Sequence, residues 1–279
     1  MIYGKVEDYL PFLESLFDKA NSFRYLRYTP YPNLLQGKVM ATLFFEPSTR
    51  TRLSFESAMI RLGGSVITAN DESSSLMKGE SISDTIRTVS EYADVIVVRC
   101  NKPISEWGLC SCPVINAGDG KNNHPTQALL DTYTINRKHV PRNLKIGISG
   151  DMQNSRTINS FYDMLTMDNQ IFPYDSAKQT ETFLSLKDFE EMLPELHVLY
   201  LNRVQRERHE NVPENTFVLS EKHLNSMRED AIILNPGPRK EELPDHALND
   251  PRVKFWEQVK NGLYIRMALL SHILKENPK

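Results

Sequence analysis

The sequence predicts an α/β fold of two doubly wound domains with parallel sheets. Short β-branched runs alternate with segments of helical period, a pattern that calls for right-handed crossovers and parallel strands. The alternation occurs in two series, separated by the basic, proline-containing stretch Lys138–Arg142. The chain has 279 residues, long for one compact domain and comfortable for two of about 130–140 residues.

In the first series, Val39–Phe45 reads as a strand ending before Pro47, and Thr51–Leu62 as a helix closed by Gly63-Gly64. Ser65–Ala69 is a second strand. Glu80–Tyr92 is a helix, with Ile82, Ile86 and Val89 at the i, i+4, i+7 positions of one face. Asp94–Cys100 and Val114–Ala117 are apolar strands, and His124–Ile135 is a helix with Pro125 in its first turn. In the second series, Leu144–Ser149 is a strand ending at Gly150-Asp151, and Ser155–Leu165 is a helix. Val198–Leu201 and Ala231–Leu234 are strands separated by polar, helix-like segments. A last helix runs from about Leu263 to Lys275, after Asn261-Gly262. The domain boundary falls near residues 136–142, and ligands of such folds bind at the carboxyl ends of the strands.

Composition excludes several classes of function. A net charge of −3 without a long basic run speaks against a nucleic-acid partner. No apolar run approaches the ~18 residues of a membrane span, and acidic Glu7 and Asp8 without an apolar segment do not read as a signal peptide. The expected location is cytosolic. Three cysteines (Cys100, Cys110 and Cys112) are too few and odd in number for a disulfide framework. The Cys110-x-Cys112 pair lacks further ligands at zinc spacing, so buried small hydrophobes near a strand are the better reading. Neither metal nor cofactor is expected.

The stretch Phe44-Phe45-Glu46-Pro47-Ser48-Thr49-Arg50-Thr51-Arg52 lies at a strand end and opens a helix. A helix N-terminus presents unpaired N–H groups and partial positive charge. Hydroxyls of Ser48, Thr49 and Thr51 and the guanidinium of Arg50 complete a phosphate site. The plainer alternative is a helix cap with solvated arginines. Two hydroxyl–basic pairs crowded into one turn after a buried strand favour phosphate.

Phe45–Arg52 resembles the carbamoyl-phosphate signature of the aspartate and ornithine carbamoyltransferases. Further stretches resemble the same family in order. These are the loop Ser73–Glu80, the strand end Val97-Val98-Arg99 and the motif His124-Pro125-Thr126-Gln127-Ala128-Leu129-Leu130-Asp131. The resemblance runs from about Leu35 to Leu274. It implies an active site in the cleft between two domains. One is a carbamoyl-phosphate-binding domain, residues 1–137, completed by a C-terminal helix of about 260–279; the other is an aspartate-binding domain, residues 138–259. It further implies a homotrimer with shared active sites, in which Ser75 and Lys78 reach in from a neighbouring subunit.

By this resemblance Ser48, Thr49, Arg50 and Thr51 bind the phosphate, Arg99 contacts phosphate and carbonyl oxygen, and His124 and Gln127 hold the carbamoyl group. The roles counted as catalytic are those of Arg50, Thr51, Arg99 and His124. Donors from Thr51, Arg99 and His124 on the carbonyl oxygen would form an oxyanion hole, each worth about 3–4 kcal/mol of barrier. Taken alone, His124 would be a helix-start residue satisfied by backbone.

For the acceptor, the resemblance assigns Arg156, Arg203, Gln205 and Lys78 to the two carboxylates of L-aspartate, where planar arginine forks suit bidentate pairing. Leu234-Asn235-Pro236-Gly237-Pro238-Arg239 stands where the ornithine branch has a cysteine motif, and Pro236 and Gly237 would offer backbone groups to the amine and the carbamoyl NH₂. Glu46, Arg156 and Arg208 match an ion-pair set that holds a closed state. The implied reaction gives N-carbamoyl-L-aspartate and phosphate; the alternatives are another acceptor such as ornithine, or a non-catalytic metabolite-binding homologue. The chain departs from the pattern at Asn235, where the family has histidine. Only 46 residues separate Arg156 from Arg203, a short second domain, and the stretch through residues 211–215 is abbreviated too.

Overall fold

The computed structural model describes residues 1–26, 33–70, 79–166, 168–178, 180–206, 209 and 216–276. The chain forms two compact units. One holds Met1–Leu129 and Val259–Lys279, the other Leu130–Gln258.

The first unit is built on β1 (Ile2–Tyr3), α1 (Leu13–Tyr25), β2 (Val39–Phe44), α2 (Thr49–Arg61), β3 (Ser65–Asn70), α3 (Ile82–Ser90), β4 (Val95–Cys100) and β5 (Val114–Asp119). Its sheet is parallel, in the order β1-β5-β4-β2-β3. β2 and β4 are apolar almost throughout because both faces are covered. Ala41, Leu43, Ile96 and Val98 pack with Ile82 and Ile86 of α3, Trp107 and Cys112. Ser81 caps α3, accepting from Asp84 N at 3.0 Å and donating to Asp84 Oδ2 at 2.7 Å. Cys100 and Cys112 are buried free thiols; burial pushes the Cys100 thiol up to about 11.

α4 (Pro125–Asn136) leads into the second unit, with β6 (Lys145–Gly150), α5 (Arg156–Leu165), β7 (Gln170–Asp175), α6 (Leu186–Met192), β8 (Val198–Leu201), α7 (Glu221–Ser226) and β9 (Ile232–Leu234). This sheet is also parallel, in the order β7-β6-β8-β9. Its core joins Leu199 and Leu201 to Tyr174, Phe189, Phe217 and Ile233. α5 buries Ile158, Phe161, Met164 and Leu165, and Phe161 stacks on Tyr200 at 4.0 Å. α8 (Phe255–Ser271) closes the elements.

Both sheets reverse direction. From β2 the chain steps out to β3 and returns to β4 on the other side; from β6 it steps to β7 and returns to β8. Each unit therefore has a switch point, between β2 and β4 and between β6 and β8. In doubly wound folds the ligand crevice opens there, beyond the carboxyl ends.

Several elements have no counterpart in the sequence expectation, among them β1, α1, α6 and β7, and the last helix starts elsewhere. The last helix begins at Phe255, eight residues earlier than Leu263. Asn261 and Gly262 lie inside it, and buried Asn261 accepts from Arg24 Nη1 at 2.7 Å, a tertiary bond that outweighs two poor helix formers. β7 was not predicted, since Pro173 sits at its centre. Its carbonyl accepts from Leu184 N at 3.1 Å, so it faces away from β6. In a strand the N–H and C=O of one residue point the same way, so the missing N–H costs the β6 ladder nothing.

Two local features predict stability effects. Asp94 ties the start of β2 down, accepting from Lys38 Nζ and Val39 N, each at 2.8 Å. Burial raises its pKa, but the Lys38 and Val39 bonds outweigh it and leave the carboxyl below its ordinary value. A depressed acid stabilises the fold above its unfolded pKa and loses that contribution as pH falls through the folded value. Asp94→Asn is expected to cost about 0.5–1 kcal/mol at pH 7, a modest figure because the pair is partly solvated, and progressively less as pH is lowered from 7 toward 2. Urea midpoints at the two pH values check this.

The second feature is Gly150 at the end of β6. A Cβ there would lie 2.7 Å from Asn202 Cβ and 2.8 Å from Asn202 O. Gly150→Ala is expected to cost about 1–3 kcal/mol by overpacking, read as a lower denaturant midpoint.

Candidate active site

The first unit gathers its predicted residues on three neighbouring strand ends. The Phe45–Arg52 stretch follows β2. Arg99 lies on β4 opposite Phe44, and Phe45 N donates to Arg99 O at 2.8 Å. His124 follows β5 and precedes α4. Adjacent strands lie about 4.8 Å apart, so these groups share one carboxyl edge beside the switch point.

Ser48 is the N-cap residue of α2, but its side chain makes no capping bond. The first turn of the helix is thus not closed by its own cap. Thr51 is buried, while Ser48 is half-buried and Thr49 and Arg50 are exposed. The two arginines of the motif differ. Arg52 Nε lies 3.4 Å from Glu56 Oε1. Arg50 has no carboxylate partner among the described residues, and atoms crowding its guanidinium desolvate it and lower its pKa. A cation at a helix N-terminus with no carboxylate partner among the described residues favours an anion.

Arg99 is largely buried, with Nε 3.5 Å from Glu46 Oε2. The β4–β5 register shifts between Val98 and Cys100: two residues of β5, Ala117 and Gly118, stand opposite Arg99, so the bulge lies on β5 beside it. Bulges re-aim side chains next to functional sites. The turn before His124 is held by Asp119, whose Oδ1 accepts from Asn123 N at 2.8 Å and Asn116 Nδ2 at 3.1 Å. His124 and Gln127 are both buried. Sequence patterning gave no role to Asn116 or Asp119, since single short polar residues near a strand end form no motif.

The second unit gathers its residues on β6, β8 and β9. Arg156 is the first residue of α5, capped by Ser155, whose Oγ accepts from Ile158 N. Arg203 and Gln205 follow β8, and Pro236 and Gly237 follow β9. The first two loops are stitched together: Gln205 Nε2 donates to Asn154 O at 2.8 Å, and Asn202 Nδ2 donates to Thr157 Oγ1 at 2.6 Å. Asp151, fully buried, pairs through Oδ2 with His209 Nε2 at 2.6 Å. Its neighbour Asp175 is raised above its ordinary pKa, first by burial and then by the nearby Asp151 charge. The Asp151–His209 pair went unread in the sequence because its members stand 58 positions apart.

Ser75, Lys78 and Arg208 lie outside the described residues. Glu46 is placed beside Arg99 in the first unit. Among the described residues no group of three or more His, Cys, Asp or Glu could hold a metal ion. Among them, too, no helix is long and apolar enough to cross a membrane.

Two family models match the chain. The aspartate/ornithine carbamoyltransferase carbamoyl-P binding domain matches residues 10–137, and the Asp/Orn binding domain matches residues 142–273. The aspartate carbamoyltransferase catalytic subunit of Lachnoclostridium phytofermentans is 41% identical over 275 residues, covering 89% of this chain and 90% of that protein. That of Clostridium acetobutylicum is 41% identical over 270 residues, covering 88% of each. Of solved structures, the catalytic subunit of M. jannaschii aspartate transcarbamoylase superposes with a TM-score of 0.84 at 35% identity, covering 98% of both chains. The Trypanosoma cruzi aspartate transcarbamoylase in complex with N-(phosphonacetyl)-L-aspartic acid gives a TM-score of 0.83 at 32% identity, covering 96% of this chain and 92% of that one.

Proposed function

Because this chain belongs to the aspartate/ornithine carbamoyltransferase family, we propose that it transfers the carbamoyl group of carbamoyl phosphate to L-aspartate, giving N-carbamoyl-L-aspartate and phosphate, a step of de novo pyrimidine biosynthesis. One observation carries the reading. In each unit the candidate residues flank the switch point of a doubly wound sheet, phosphate-type donors at β2 and β4 and arginines after β6 and β8.

The aspartate amine attacks the carbamoyl carbon, forming the C–N bond. Negative charge gathers on the carbonyl oxygen, where Thr51, Arg99 and His124 donate. The C–O bond to phosphate then breaks, and the leaving phosphate, held by Ser48, Thr49, Arg50 and Thr51, takes the amine proton. A neutral imidazole suffices as the His124 donor, and His124 and Gln127 hold the carbamoyl group. Arg156, Arg203 and Gln205, with Lys78 from a neighbouring subunit, grip the acceptor's two carboxylates. The Pro236 and Gly237 carbonyls accept from the reacting nitrogens. Glu46 and Arg208 belong to the closed state, which excludes water.

The protein acts in the cytosol as a homotrimer. Leu53 and Ile60, two turns apart on α2, and Ile67 of edge strand β3 are exposed apolar side chains that a second copy would cover. Light scattering at three times the 32.1 kDa chain mass is the expected result. The decisive experiment is phosphate release from carbamoyl phosphate with L-aspartate and with L-ornithine. Turnover with aspartate alone supports the assignment. Turnover with ornithine alone moves the chain to the other branch.

A further inference from the structure

Past β9 the chain turns through Asn235, Pro236, Gly237 and Pro238. We propose that Asn235, clamped by Glu242, is a positioning residue for carbamoyl transfer, aiming the Pro236 carbonyl at the reacting nitrogens. The proposal rests on the reading above that this carbonyl serves the transfer.

The geometry is that of one planar peptide. Asn235 Oδ1 accepts from Gly237 N at 2.7 Å. That N–H belongs to the same trans peptide unit as the Pro236 carbonyl, and in such a unit the two point in opposite directions. Fixing the N–H inward therefore fixes the carbonyl outward. Gly237 itself sits at φ +66°, a left-handed conformation that suits glycine. The turn thus relies on the side chain of Asn235 rather than on a regular ladder.

The carboxamide is held from its other end. Asn235 Nδ2 donates to Glu242 Oε1 at 2.8 Å, and Glu242 also accepts from Lys240 N at 3.0 Å. The Asn235 backbone N donates to Gln258 Oε1 at 2.8 Å. Gln258 Nε2 in turn donates to Asp131 Oδ1, and Tyr200 OH to Asp131 Oδ2, both at 2.8 Å. Asn235, Glu242, Gln258, Asp131 and Tyr200 are all buried. A buried polar chain of this kind is costly unless every member is satisfied, and when satisfied it fixes one geometry.

Both partners together call for a side chain that accepts at one end and donates at the other, as the asparagine carboxamide does. Gly237 N requires an acceptor and the Glu242 carboxylate requires a donor. Aspartate of the same shape supplies two acceptors. Serine supplies one short hydroxyl, and alanine supplies nothing.

The test exchanges donor and acceptor without changing shape. Asn235→Asp sets two buried carboxylates against each other, and kcat with L-aspartate should fall about 100-fold, the loss of one aimed hydrogen-bonding group in the transition state. KM for carbamoyl phosphate should stay within about twofold, because that substrate is assigned to the other unit. Asn235→Asp with Glu242→Gln rebuilds the bond in the opposite sense, glutamine donating to aspartate, and should return kcat to within about fivefold of wild type. A purely volume-filling role would give no such recovery. Wild-type kcat in Asn235→Asp, or a folded double variant as impaired as the single one, overturns the proposal. Should Asn235→Asp fold poorly, as read from its thermal midpoint, the double variant decides alone. A wild type without turnover on aspartate refutes the underlying assignment instead, and is recognised before any variant is made.

Discussion

Arg50→Ala is expected to lower kcat/KM for carbamoyl phosphate by about 10²–10³-fold while leaving stability within about 0.5 kcal/mol of wild type. Both halves follow from its surroundings. Arg50 is exposed, has no carboxylate partner among the described residues, and stands in the first turn of α2. A cation there opposes the helix dipole, so its removal costs the fold little. In the proposed role, the same guanidinium would make charge-assisted bonds to the phosphate worth about 3–4 kcal/mol in the transition state. Arg52→Ala is the control. Arg52 lies beside Glu56, and its loss should change kcat/KM less than about tenfold. Steady-state kinetics at saturating aspartate, with thermal midpoints alongside, separate the two arginines. Equal losses in both would refute the assignment of Arg50 as the phosphate-binding cation.

Arg203→Ala is expected to act on the other substrate. KM for L-aspartate should rise about 10²-fold, and KM for carbamoyl phosphate should stay within about twofold. Arg203 follows β8 in the second unit, in a loop stitched to the one after β6 through Gln205 and Asn202. Arg203→Lys should recover little, because an ammonium is a point charge and cannot pair with both oxygens of a carboxylate in one plane. Full recovery by lysine would show that charge alone matters at this position.

The residues that specify the units are legible to different depths. Strands such as β2 and β4 are continuous apolar runs bounded by turn residues, and α3 repeats Ile82 and Ile86 on one buried face. Those signals are local, and they fix parallel sheets. β7 was hidden because proline normally argues against a strand, and only a tertiary contact (Leu184 to Pro173) shows that this proline faces outward. The start of α8 was hidden for a similar reason. Asn261-Gly262 reads as a break until Arg24, 237 positions earlier, is seen to bind Asn261.

The candidate site divides the same way. Ser48–Arg52 and His124–Gln127 are compact motifs and can be read from neighbouring residues. The groups that hold the site's loops in place form no motif, whether near one another in sequence or far apart. Asp119 and Asn116 lock the turn before His124, Asp151 meets His209, and Asn235 meets Glu242 and Gln258. Each such bond is worth about 1 kcal/mol and is made between residues whose types are unremarkable singly. Nothing in linear order marks them.

Pro173 also bears on how the protein survives its own synthesis. β7 is the outer strand of its sheet, and an open outer strand can recruit another chain into a growing intermolecular sheet. At its centre, on the outward side, Pro173 offers no N–H, and its carbonyl is already taken by Leu184 N. A second strand laid along β7 would find its ladder interrupted midway. Replacing Pro173 with valine would mend that gap with a residue suited to strands, so the folded enzyme should tolerate it while refolding at high concentration yields more aggregate.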